Sequence, residues 1–102
     1  MTATFGTIIY SLRREDAARL GYDNAESWRL ALLAHQNDFA ETMQIPLEHL
    51  HWYAAFHDEG EHPHIHMMAW SATPGQAYLS KEGIRQIKSR LTNDIFRDEM
   101  LH

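Results

Sequence analysis

Two runs of alternating residues, His49 to His57 (HLHWYAAFH) and His64 to Ala72 (HIHMMAWSA), flank a polar loop, Asp58-Glu59-Gly60-Glu61-His62-Pro63. Side chains of a strand alternate between faces, so each run sorts its residues into two sets. In the first run Leu50, Trp52, Ala54 and Phe56 share one face, and His51, Tyr53, Ala55 and His57 the other. The polar loop, with its Gly and Pro, predicts a hairpin. With His57 opposite His64, Ala55 faces His66, Tyr53 faces Met68 and His51 faces Trp70, while Phe56, Ala54 and Trp52 meet Ile65, Met67 and Ala69. A slip of one residue would turn His57 into the core and expose Phe56, so the apolar pattern selects this register.

The same register gathers histidines. The chain has eight, and five of them fall between His51 and His66. His64 and His66 project from one face while Ile65 points to the other, and His57 brings a third imidazole to that face. Ala55 leaves room beside His66. There are no cysteines, so a metal must be held by nitrogen and oxygen. Three neutral imidazoles with the remaining positions left to water or substrate oxygens make the open kind of site that catalytic metals need. A divalent ion there polarises a phosphoryl oxygen, and Mn, Zn, Co or Ni suits nitrogen ligands better than Mg does. His62, in the loop, is an alternative third ligand in place of His57. Asp58, Glu59 and Glu61 are candidates to orient an imidazole or to supply a fourth ligand, although a solvated acidic hairpin is the plainer reading of Glu59 and Glu61. His35, His49, His51 and His102 read as surface histidines.

The rest of the chain supplies a frame for this hairpin. Thr4 to Leu12 (TFGTIIYSL) reads as a first strand with Gly6 as a weak spot, and Ser11 as the cap of a short helix from Arg13 to Leu20 that Gly21 stops. Asp23-Asn24-Ala25-Glu26 opens a long helix from Ala25 to Met43, with Ala25, Trp28, Leu32, Phe39 and Met43 as its apolar stripe and Arg29, Gln36 and Asp38 outward. Ser80 caps a last helix with Ile84, Ile87, Leu91 and Ile95 on one side. Lys81, Arg85 and Lys88 share a separate basic face, a candidate for phosphate contacts. Tyr22 and Tyr78 are expected to pack as aromatics against the sheet.

The order β-α-β-β-α predicts an α+β, ferredoxin-like antiparallel sheet with helices on one face, the histidine strand central and the final strand absent. A length of 102 residues bounds this to one domain over 1–102. An unpaired outer edge on the first strand predicts a homodimer or strand exchange. No apolar run is long enough to span a membrane and the start lacks a signal peptide, so a cytoplasmic protein is expected. A net charge of −5 argues against a broad electrostatic footprint for nucleic acid, so any contact with DNA is local.

Beyond this reading, His57-Asp58 followed by Pro63-His64-Ile65-His66 resembles the third motif of conjugative relaxases of the His-hydrophobic-His endonuclease superfamily, nearest to MobP-type plasmid mobilisation relaxases. Ser11 to Ala17 (SLRREDA), Trp52 to Trp70, and Tyr78-Leu79 with Lys81 to Ile84 are similar to segments of the same proteins, so the likeness covers nearly the whole chain. It implies a metal-dependent nickase (Mn, Mg or Zn) that cuts single-stranded DNA at a transfer origin by tyrosine attack, leaving a 5′-phosphotyrosyl link, with His57, His64 and His66 as ligands. The nucleophilic tyrosine of such proteins belongs to an earlier motif that has no match here, which suggests a fragment without activity of its own. Tyr10 and Tyr53 are the only substitutes worth weighing. Two other functions compete: an inactive metal- or DNA-binding module, and a small metal-dependent phosphodiester hydrolase with Asp58 as general base.

Overall fold

The computed structural model describes residues 5–60, 62–73 and 78–100. Strand β1 (Phe5–Ser11) is followed by helices α1 (Arg14–Leu20), α2 (Ala25–Ala34) and α3 (Gln36–Met43), and a 3-10 turn (Leu47–His49) leads into β2 (Leu50–His57). The hairpin then returns as β3 (His64–Ser71), and α4 (Lys81–Ile95) and α5 (Arg97–Met100) follow. The sheet is antiparallel in the order β1-β3-β2, so the histidine strand is central, as the topology requires. The fold is α+β and matches a ferredoxin-like unit carrying three strands among the described residues.

The hairpin register is the one the apolar pattern selects: His57 faces His64, Ala55 faces His66, Tyr53 faces Met68 and His51 faces Trp70. On β1, Ile9 lies beside His66 and Ser11 beside His64. One sheet face therefore carries Ile8, Tyr10, Ile65, Met67 and Ala69, all buried in a single core with Trp28, Leu32, Phe39, Met43, Ile87, Leu91 and Ile95 from the helices. The opposite face holds the histidines, and Ile9, Tyr53, Met68 and Trp70 are exposed there.

Several local expectations change. Ser11 is the last residue of β1, and the residue before α1 is Arg13, with no side-chain cap. Gly21 does end α1, with φ of 84°, and Asn24 caps α2 by accepting from the Ser27 N–H at 2.9 Å. Gly6 is a close-approach point and no defect: a Cβ there would stand 2.9 Å from Leu79 Cβ, so its lack of a side chain lets the segment before α4 press onto the sheet. Ala25 is exposed and adds nothing to the core stripe. Tyr22 packs edge-on to Trp28 with centroids 5.1 Å apart, whereas the Tyr78 side chain is largely exposed.

The long helix breaks at His35, where an ion cluster forms. The imidazole joins Asp38 Oδ2 through Nδ1 at 2.8 Å and Asp94 Oδ2 through Nε2 at 2.9 Å, tying the α2–α3 junction to α4. Asp38 also pairs with Arg90, and Asp94 with Arg97. His35 is thus a part-buried staple and not a surface residue. Desolvation pulls its pKa down, but hydrogen bonds and charge from Asp38 and Asp94 outweigh that and raise it above its ordinary 6.5. The hydrogen bond from His35, with help from Arg97, lowers Asp94 below 3.8. A raised histidine stabilises fully below its unfolded pKa and loses that contribution as pH rises through the folded value; a lowered carboxylate loses its contribution as pH falls. Stability is expected to be greatest between about pH 4 and 6.5. Denaturant titrations should show His35→Ala costing about 1–2 kcal/mol near pH 6 and flattening the alkaline decline.

Candidate metal centre

The site is built on the open face at the hairpin end of β2 and β3. Alternation aims His64 and His66 outward, and pairing sets His57 directly across from His64. The His57 and His64 rings stack with centroids 4.9 Å apart and planes 19° apart. Among the described residues, no three His, Asp or Glu side chains converge on a common point in this arrangement. The donor set nonetheless suits a divalent ion. Cross-strand Cβ atoms lie roughly 5 Å apart and same-strand neighbours two residues on roughly 6.7 Å apart, so the three imidazoles project from neighbouring positions of one face.

The His64 Nδ1 lies 3.4 Å from the His62 carbonyl oxygen; in the tautomer that carries its hydrogen on Nδ1 the ring donates there and Nε2 keeps its lone pair. The His62 side chain itself is exposed in the loop. The loop is braced by a residue that the sequence reading passed over. Arg14, at the start of α1, donates from Nε to the Gly60 carbonyl at 2.8 Å and pairs through Nη2 with Asp58 Oδ1 at 2.8 Å. Pro63 is buried, and its carbonyl accepts from the Leu12 N–H at 3.2 Å. The backbone that sets His57 and His64 is therefore held from α1 and from the end of β1.

The other candidate residues divide between the two sheet faces, the hairpin loop and α4. Tyr10 is only 7% exposed and lies on the helix-covered face; its hydroxyl is 2.7 Å from Thr92 Oγ1, and burial raises its pKa. A buried, less acidic phenol across the sheet from the histidines is placed as a core residue and not as a nucleophile. Tyr53 is on the histidine face and 65% exposed. Asp58 sits beside His57, but Arg14 engages its carboxylate, which suits holding the loop better than taking a proton from water. Lys81, Arg85 and Lys88 belong to α4, in the layer that covers the other face, and Arg85 pairs with Glu82 at 2.7 Å. They do not share a surface with the histidines.

No helix among the described residues is long and apolar enough to cross a membrane. No curated protein and no solved structure matches the chain significantly. A family model for MobL relaxases, in contrast, matches residues 3–102, a span that takes in the histidine hairpin and all the described elements. The chain belongs to the MobL relaxase family, and its role is that of a relaxase in mobilisation.

Proposed function

We propose that this chain carries the metal-binding part of a single-strand DNA nicking site that acts at a transfer origin, with His57, His64 and His66 holding a divalent ion (Mn, Mg or Zn). The observation that carries the reading is the placement of all three histidines on one uncovered sheet face, in a chain of the MobL relaxases. A bound ion there supplies Lewis-acid polarisation of the scissile phosphate and neutralises charge that builds on its oxygens.

The protein's own groups do the rest. In the tautomer that donates from Nδ1 to His62 O, His64 presents Nε2 to the ion. Ala55, across from His66, keeps space for a phosphate at the centre of the face. Arg14 fixes the loop through Asp58 and Gly60, so that His57 keeps its position when the loop meets a strand of DNA. Tyr10 is in the core, and the attacking tyrosine in this reading comes from outside the chain.

The test is cleavage of a single-stranded origin oligonucleotide by the natural full-length protein with Mn. A covalent protein–5′-phosphate adduct that disappears on His66→Ala supports the reading. Cleavage without an adduct points instead to a water-activating hydrolase, and DNA binding with no cleavage to an inactive module. Arg14→Ala is expected to weaken divalent-ion binding about 10-fold while leaving the fold intact, as loss of a supporting residue does, which calorimetry would show.

A further inference from the structure

The histidine face continues past the candidate metal centre to an end that the metal does not use. Moving along β3 from His64, the outward residues are His66, Met68 and Trp70, opposite Ala55, Tyr53 and His51. Trp70 lies six residues from His64, roughly 20 Å along the strand. Tyr53 is 65% exposed and Trp70 38%, with Met68 exposed beside them. His51 stacks on Trp70 with centroids 5.9 Å apart and planes 21° apart, which restricts the indole before anything binds. Large aromatic side chains standing in water on an uncovered sheet have a cost that burial elsewhere would avoid, which marks them as contact residues.

Charge selects the occupant. The chain has 14 acidic residues and a net charge of −5, yet none of the three strands contains an Asp or a Glu. No carboxylate therefore projects from the strands themselves, and the face is rich in rings. Equally, the strands contain no Lys or Arg, so the face offers stacking and no phosphate clamps. Bases of a duplex are unavailable to such a surface; unpaired bases are not.

We infer that Trp70 and Tyr53 form a base-stacking platform for unpaired bases of single-stranded DNA, a subsite separate from the histidines that holds the strand on the same face without a metal. The inference rests on the proposed function for its choice of DNA, and it adds where the strand is gripped and by what force. His51 stacks on Trp70, and Met68 stands across from Tyr53, two residues before Trp70 on β3. Because stacking and not ion pairing supplies the affinity, binding depends only shallowly on salt.

The experiment is fluorescence-anisotropy titration of a labelled single-stranded oligodeoxynucleotide with the 102-residue chain in EDTA. Wild-type protein is expected to bind and to show quenching of tryptophan emission, and Trp70→Ala and Tyr53→Ala each to weaken binding by between about 5- and 100-fold. Trp70→Phe and Tyr53→Phe keep a ring and should restore most of the affinity; the latter also removes the hydroxyl, which separates stacking from nucleophilic attack. Leu30→Ser, an exposed apolar site on α2, is the control that should not change binding. Equal binding by wild type and both alanine variants overturns the proposal, as does an absence of binding or a dimer that shields Trp70 and is not displaced by oligonucleotide. If the platform variants lose binding while the full-length protein gives no adduct with Mn, the platform stands and the nicking reading falls.

Discussion

His64→Ala is expected to reduce divalent-ion affinity by more than about 100-fold, beyond the roughly 10- to 100-fold that loss of a supporting residue costs, and to leave the thermal unfolding midpoint nearly unchanged. The reason is position. His64 is half-buried on the central strand, faces His57 across β2 and is flanked by Ser11 on β1, so it shares the open face with both proposed co-ligands. Its removal takes away an imidazole whose Nδ1 lies 3.4 Å from a backbone carbonyl, that of His62. His62→Ala removes an exposed loop side chain and should cost little, because the bond that matters there is made by the His62 carbonyl. Calorimetry with Mn and Zn on the two variants checks both statements.

Trp28→Ala should cost about 3–5 kcal/mol and leave the isolated chain largely unfolded at 37 °C. Trp28 is 1% exposed and is the largest fully buried side chain. Its Nε1 donates to the Tyr22 carbonyl at 2.8 Å, and Tyr10 and Tyr22 meet it edge-on at 5.7 and 5.1 Å between centroids. Truncation opens a cavity between α2 and the sheet and leaves the Tyr22 carbonyl without this partner. Trp28→Phe fills most of the volume and keeps the edge contacts, so it should recover more than half of the loss. A urea titration followed by tyrosine fluorescence or circular dichroism would read both.

The hairpin was legible in the sequence because two independent patterns agree on it. The apolar residues Trp52, Ala54, Phe56, Ile65, Met67 and Ala69 and the histidines His57, His64 and His66 sort to opposite faces in only one register. The same parity rule applied to β1 places Tyr10 with Ile8 on the inward face, a signal available in the alternation of Gly6, Ile8 and Tyr10. The break at His35 had no such signal. Its partner Asp94 is 59 residues away, and the two meet only once α3 and α4 have packed. Arg14 was invisible for the same reason, since the carbonyl it reaches is 46 residues on. Gly6 reads as a weak spot in a strand until Leu79 is seen against it. Contacts local to one hairpin follow from period and polarity; contacts between remote elements follow from packing.

The exposed face also connects composition to role. A chain with net charge −5 looks ill-suited to DNA until the charges are located, and the strands turn out to have none. On the proposed platform, a neutral aromatic and imidazole surface would hold an unpaired strand with less dependence on salt than a basic patch.

The central claim, that His57, His64 and His66 hold one ion, is tested most directly by histidine-ring NMR during titration with Mn. One equivalent is expected to broaden the imidazole resonances of those three residues together, while His35, locked between Asp38 and Asp94, stays sharp. Broadening centred on His35, or on loop residues with His57 and His64 spared, would contradict the account.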